Sequence, residues 1–243
     1  PPAPPIPVST NPHGRNSFVT YSEFLSVLEP YRDGQFAAFQ KKIIRPPKAD
    51  FLGVRTPDMR KIAKKLQADL SDIFSFPDEY YETTFIKLTI VSLLPYEKFV
   101  LWTEKCLPLI DNWALCDCFK ADCIKKNRED FLSRMEGYFA RGGEYDERFV
   151  LVTLLSFYAE EKYLPAIKDF LSRADTTRYY VHMAAAWLTA EILVKCYDKG
   201  VELLESGILA PATHDKAIQK ARESYRLTPE QKGFLNSLKI KTR

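Results

Sequence analysis

Trp113 and Asp117 stand four residues apart in the segment Ile110-Asp111-Asn112-Trp113-Ala114-Leu115-Cys116-Asp117. On a helix this spacing puts an indole face and a carboxylate on one side, where both can touch the same ligand. For the pair taken alone, the alternative is a packing tryptophan beside a solvated or capping acid. Arg148 follows Trp113 by 35 residues and precedes Trp187 by 39. Each step is close to one helical-repeat length, so the three can occupy equivalent places on successive inner helices along a concave surface. Cys116, Cys118 and Cys123 do not read as a metal site, because positions 116 and 118 point to roughly opposite helical faces and no histidine lies near. His182 has no Ser or Cys nucleophile in a recognisable motif around it, and no Gly-rich phosphate loop occurs. Neither a metal nor a cofactor is expected.

The elements that must position these residues read as helices. Only nine glycines occur in 243 residues, and alternating apolar and polar runs are scarce, so a sheet has little support. Segment 57–70 puts Met59, Ile62, Ala63, Leu66 and Leu70 on one stripe, with Thr56 as cap, Pro57 at the first helical position and Asp58 in the first turn. Similar stripes recur near 18–29, 33–44, 78–94, 97–109, 112–126, 128–141, 146–158, 162–173, 178–196, 200–206, 212–224 and 229–239. Segment 84–94 is rich in β-branched residues and is the weakest helix of the set. Pro77, Pro95, Gly142–Gly143, Asp175, Gly200 and Pro211 mark short connections, hence antiparallel helix pairs. The expected architecture is all-α, an α-solenoid of HEAT-like helix pairs forming a curved, concave surface, as one domain over residues 18–243.

Residues 1–17 hold six prolines and are expected to form a disordered tail outside that fold. The five cysteines, an odd number in amphipathic segments, read as reduced thiols. No charged segment leads into an apolar signal core and no apolar run is long enough to span a bilayer, which points to the cytoplasm and away from a membrane partner. A monomer is expected. A net charge of +3 permits a nucleic acid partner without demanding one, so the case rests on local clusters. Arg60, Lys64, Lys216 and Lys220 are the candidates, against the alternative of ordinary solvated helix faces.

Several segments carry a joint pattern. Phe51-Leu52-Gly53-Val54-Arg55-Thr56-Pro57 fits FLG-x-x-TP, and Trp113-Ala114-Leu115-Cys116-Asp117 fits W-x-x-x-D. Arg148 lies in Asp146-Glu147-Arg148-Phe149, and Trp187 in Ala184-Ala185-Ala186-Trp187-Leu188. Leu209-Ala210-Pro211 is followed by Lys216, Lys220 and Arg222. In this order and spacing the chain resembles the AlkD-type DNA alkylation repair family over most of residues 35–225. The resemblance implies a glycosylase acting on cationic N3- or N7-alkylated purines in duplex DNA, gripping the backbone and leaving the lesion stacked. It implies Asp117, Trp113 and Trp187 as catalytic residues, Arg148 paired with a phosphate, and Arg60, Lys64, Lys216 and Lys220 as further DNA contacts. Phe39 stands near where the family has a Tyr, and Ala190 where it usually shows an Arg. Both changes remove polar contacts to nucleic acid. They motivate the alternative of a catalytically silent HEAT-like module binding DNA or a protein on its concave face.

Overall fold

A computed structural model describes residues 9–10, 16–17, 20–44, 48–66 and 70–240. These residues are helical apart from loops, one isolated bridge between Asp50 and Tyr80, and a two-residue antiparallel pair, β1 (Ser9–Thr10) with β2 (Asn16–Ser17). The rest of the tail expected over 1–17 lies outside the described residues. The all-α expectation is met. The chain falls into two compact units, Pro1–Cys123 and Ile124–Arg243.

The first unit holds α1 (Tyr21–Leu28), α2 (Gly34–Ile43), α3 (Thr56–Leu66), α4 (Leu70–Ser75), α5 (Tyr81–Ser92), α6 (Tyr96–Cys106) and α7 (Trp113–Cys118). Helix α5 packs against α3, α6 and α7 and is buried almost all round. That burial explains how a segment rich in β-branched residues becomes a helix. Intrinsic helix preference differs by at most about 0.7 kcal/mol for such residues, whereas burying one Phe, Ile or Leu side chain contributes about 1.5–3 kcal/mol. Its polar members are satisfied: buried Lys87 donates from Nζ to the Phe76 carbonyl at 2.6 Å and to Asp78 Oδ1 at 3.0 Å.

Helix α3 starts one residue earlier than its cap pattern predicts. The Arg55 carbonyl accepts from the amides of Asp58 and Met59 at 3.0 and 3.1 Å, so Arg55 takes the capping place and Thr56 is already helical. Helix α3 is described to Leu66 and α4 from Leu70, and the part of the expected 57–70 stripe between them lies outside the described residues. Helix α7 is shorter than its 112–126 stripe. Phe119, at φ −79° and ψ 79°, leaves the helical region, and a 3-10 turn covers Asp122–Lys126.

The second unit holds α8 (Arg128–Phe139), α9 (Glu144–Phe157), α10 (Leu164–Arg173), α11 (Tyr179–Lys195), α12 (Tyr197–Glu205), α13 (Pro211–Glu223) and α14 (Pro229–Ser237). Helix α11 packs against α9, α12 and α13, while α8 and α10 lie on α9 and α14 on α13. Each helix pair therefore contacts its neighbours in sequence, the nearest-neighbour stacking of a solenoid. Gly200 permits the approach of α12 to α11, since a Cβ there would stand 2.6 Å from Leu193 Cα. Among the described residues no helix is long and apolar enough to cross a membrane.

Candidate functional site

The first-unit site begins at the turn before α3. Glu82, fully buried on α5, accepts from the amides of Leu52, Gly53 and Val54 at 3.0, 2.8 and 3.1 Å. Burial pushes its carboxyl up while those amides pull it down. Gly53 sits at φ +83°, and a Cβ there would lie 2.0 Å from the Asp33 carbonyl oxygen, so only glycine fits. The turn fixes where α3 starts and so where Arg60 and Lys64, one helical turn apart, emerge. Helix α7 is started by Asn112, whose side chain accepts from the Leu115 amide at 3.0 Å.

Between α3, the end of α5 and α7 lies a cleft of about 610 Å³ whose lining includes Arg60, Lys64, Asp117, Cys118, Lys120 and Asp122. Asp117 is half-buried and reaches this cleft from the end of α7. Burial raises the Cys118 thiol above its ordinary range, opposed by the nearby Arg60 guanidinium. Trp113, one turn earlier than Asp117, lies outside the lining of this cleft and is also half-buried. Its indole Nε1–H donates to the Ile43 carbonyl at the end of α2, at 3.2 Å. On the outer face of α2, Phe39 is 52% exposed and stacks on Phe36.

In the second unit, Trp187 on α11 is 37% exposed. It borders a cleft of about 540 Å³ together with Ala190, Glu191, Lys220, Tyr225 and Arg226. Arg226 Nη2 lies 3.0 Å from Glu191 Oε2, and Lys195 Nζ lies 3.3 Å from Glu191 Oε1. Lys216, one turn before Lys220 on α13, donates to Gln219 at 3.1 Å. Its charge also helps lower the pKa of His182, after burial, which is the larger cause.

Arg148, expected to pair with a phosphate, is 5% exposed, and its Nη1 donates to the Tyr180 carbonyl at 2.8 Å. Helix α9 is packed on most of its sides, so a polar residue at this position is enclosed. Its guanidinium ties α9 to the first turn of α11, which makes it a positioning residue for the helix that carries Trp187.

Residues 23–195 match the family of DNA alkylation repair enzymes. The chain belongs to that family. No curated protein matches it. Membership supports a role in DNA alkylation repair and makes DNA the partner to consider.

Of the residues the sequence singled out in this family member, Arg60 and Lys64 share a cleft with Asp117, and Lys220 shares one with Trp187. Among the residues of these clefts that the sequence reading missed are Lys120, Asp122, Glu191, Glu223, Tyr225 and Arg226. One signal was available, because Trp187-Leu188-Thr189-Ala190-Glu191 repeats the aromatic-to-acid spacing of Trp113 to Asp117. Ala190 lacks a side-chain cation, but Arg226 brings a guanidinium into the same cleft from the turn after α13. Among the described residues no group of three His, Cys, Asp or Glu side chains is arranged to hold a metal ion.

Proposed function

We propose that this chain is a DNA glycosylase that hydrolyses the N-glycosidic bond of N3- and N7-alkylated purines in duplex DNA. Such a purine is already cationic, so it departs as a neutral base, taking the glycosidic electron pair. The positive charge passes to the deoxyribose, and no strong acid is needed. The demand falls instead on an anion near the sugar, which Asp117 supplies. The same carboxylate takes the proton of the water whose oxygen bonds to the anomeric carbon. On the family pattern, Trp113 in the first unit offers a ring face to the cationic base, and Trp187 is a catalytic aromatic of its own cleft in the second unit. Arg60, Lys64, Lys216 and Lys220 pair with phosphates, releasing condensed counterions.

The observation that carries this reading is the position of Asp117, half-buried and in contact with an open cleft that also holds Arg60, Lys64 and Lys120. A carboxylate in such a setting stays within reach of a sugar whose phosphates the cations hold. The test is release of free 7-methylguanine and 3-methyladenine from methylated duplex DNA by the wild type and by Asp117→Asn. Release by the wild type no faster than the spontaneous rate rejects the proposal. Binding to DNA without release assigns the chain to the silent-module reading that Phe39 and Ala190 motivate.

A further inference from the structure

The cleft beside Trp187 contains groups that alkylpurine hydrolysis does not use. Tyr225 is 94% exposed and stands two residues past the end of α13. Arg226 follows it, and Lys220 comes one helical turn and a short bend before. All three line the cleft with Trp187. Lys216 and Lys220 lie four apart on α13 and continue the cationic row along the helix. An aromatic surface interleaved with cations is the composition that grips a nucleic-acid backbone.

The two carboxylates of the cleft are held by cations, Arg226 and Lys220 of the cleft itself and Lys195 beside it. Glu191 is bridged by Arg226 and Lys195, and Glu223 lies 3.6 Å from Lys220. A phosphate entering the cleft therefore exchanges with a carboxylate for the same guanidinium. Arginine favours that exchange, because its planar fork matches a phosphate in two-point geometry.

We infer that the Trp187 cleft is a DNA-backbone subsite in which Arg226, released from Glu191, and Lys220 take phosphates while Tyr225 packs on the sugar-phosphate chain. Glu191 holds Arg226 ready in the free protein and competes with DNA for it. This rests on DNA being the partner in the proposed function, but its readout is binding to undamaged duplex and not base release.

The experiment is a salt titration of the full chain binding a fluorescent, unmodified duplex. Arg226→Gln weakens binding roughly tenfold and lowers the slope of log affinity against log salt by about 1. Arg226→Lys keeps the slope. Tyr225→Ala weakens binding with the slope unchanged. Glu191→Gln tightens binding severalfold, a gain that damage to the fold does not produce, and melting temperatures confirm that each variant is folded. The inference is overturned by an Arg226→Gln protein with wild-type slope and affinity. It is equally overturned if Glu191→Gln weakens binding as Arg226→Gln does, since the ion pair is then only a structural tie. Base release by a wild type whose Arg226→Gln variant binds normally sinks the subsite and leaves the glycosylase reading standing. Arg226-dependent binding without base release does the reverse.

Discussion

Trp113–Asp117 and Trp187–Glu191 have the same aromatic-to-acid spacing, yet the two acids sit in different surroundings. Glu191 stands between two cations, with Arg226 at 3.0 Å and Lys195 at 3.3 Å. It sits on a 17-residue helix that is the spine of its unit. Asp117 is the next-to-last residue of a six-residue helix and lines a larger cleft with cations from α3 and from the following turn. It also has one rotatable bond fewer than Glu191, so holding its carboxylate in place costs less side-chain entropy. A motif of letters thus fixes which side chains share a face. The neighbouring elements decide which groups each acid meets.

The strongest way to break this contrast is to neutralise each acid in turn. Asp117→Asn is expected to lower single-turnover base release by roughly 10²–10³-fold, the usual loss when one electrostatic stabiliser of a transition state is removed. Glu191→Gln moves the other way at limiting protein, where tighter DNA binding raises the observed release. Equal losses from the two variants would erase the distinction.

The next effect concerns what holds the first cleft in shape. Glu82→Ala leaves three buried backbone N–H groups without their acceptor, each costing about 1–3 kcal/mol when nothing replaces it. A loss of about 3 kcal/mol is expected in urea unfolding, allowing for partial rescue by water. Gly53→Ala should cost about 2 kcal/mol or more, because the backbone must leave φ +83° and the new methyl meets the Asp33 carbonyl. Both variants should impair the Asp117 cleft more than DNA binding by the Trp187 cleft. If they weaken Arg226-dependent binding as strongly as base release, the two regions do not work independently.

These residues also mark how far the sequence was legible. The Phe51–Pro57 segment was readable as a motif leading into a helix, because a proline at the first helical position is a local signal. Its partner Glu82 was not, since nothing local links a residue on α5 to amides 28 to 30 positions earlier. Periodicity located most helices because one face of each is buried. It overran at α7 and missed α4, where short elements give too few turns to set a period. Arg148 was placed on an inner surface by repeat spacing and by the family resemblance, and neither registers that α9 is covered on nearly all sides. Arg226 and Tyr225 lie in a turn, where no helical face announces which cleft a side chain will enter.

A smaller effect tests whether α7 itself matters to the contrast. Asn112→Ala removes the side-chain cap of a helix only six residues long and is expected to cost about 1 kcal/mol. With so little helix to absorb fraying, the loss should displace Asp117 and lower base release beyond what the stability change explains. Reduced stability with wild-type release would mean that packing, and not the cap, sets the acid's position.

The smallest effect reads the electrostatic side of the comparison directly. Both histidines among the described residues lie in the second unit, and His182 on α11 faces Thr213 on α13, with ring Nδ1 2.9 Å from the hydroxyl. Burial and then the charge of Lys216 lower its pKa below the ordinary value of about 6.5. A ring depressed in this way binds its proton more weakly when the chain is folded. Its contribution to stability is therefore complete above about pH 6.5 and is lost as the pH falls from there through the folded value. NMR titration of the ring should give that lowered pKa, and Lys216→Gln should raise it part of the way, leaving the share due to burial. Bound duplex DNA should also raise it, because phosphates along the Lys216–Lys220 row offset the cation that disfavours protonation. A ring whose titration ignores both Lys216→Gln and DNA would mean that the row faces away from any backbone the protein holds.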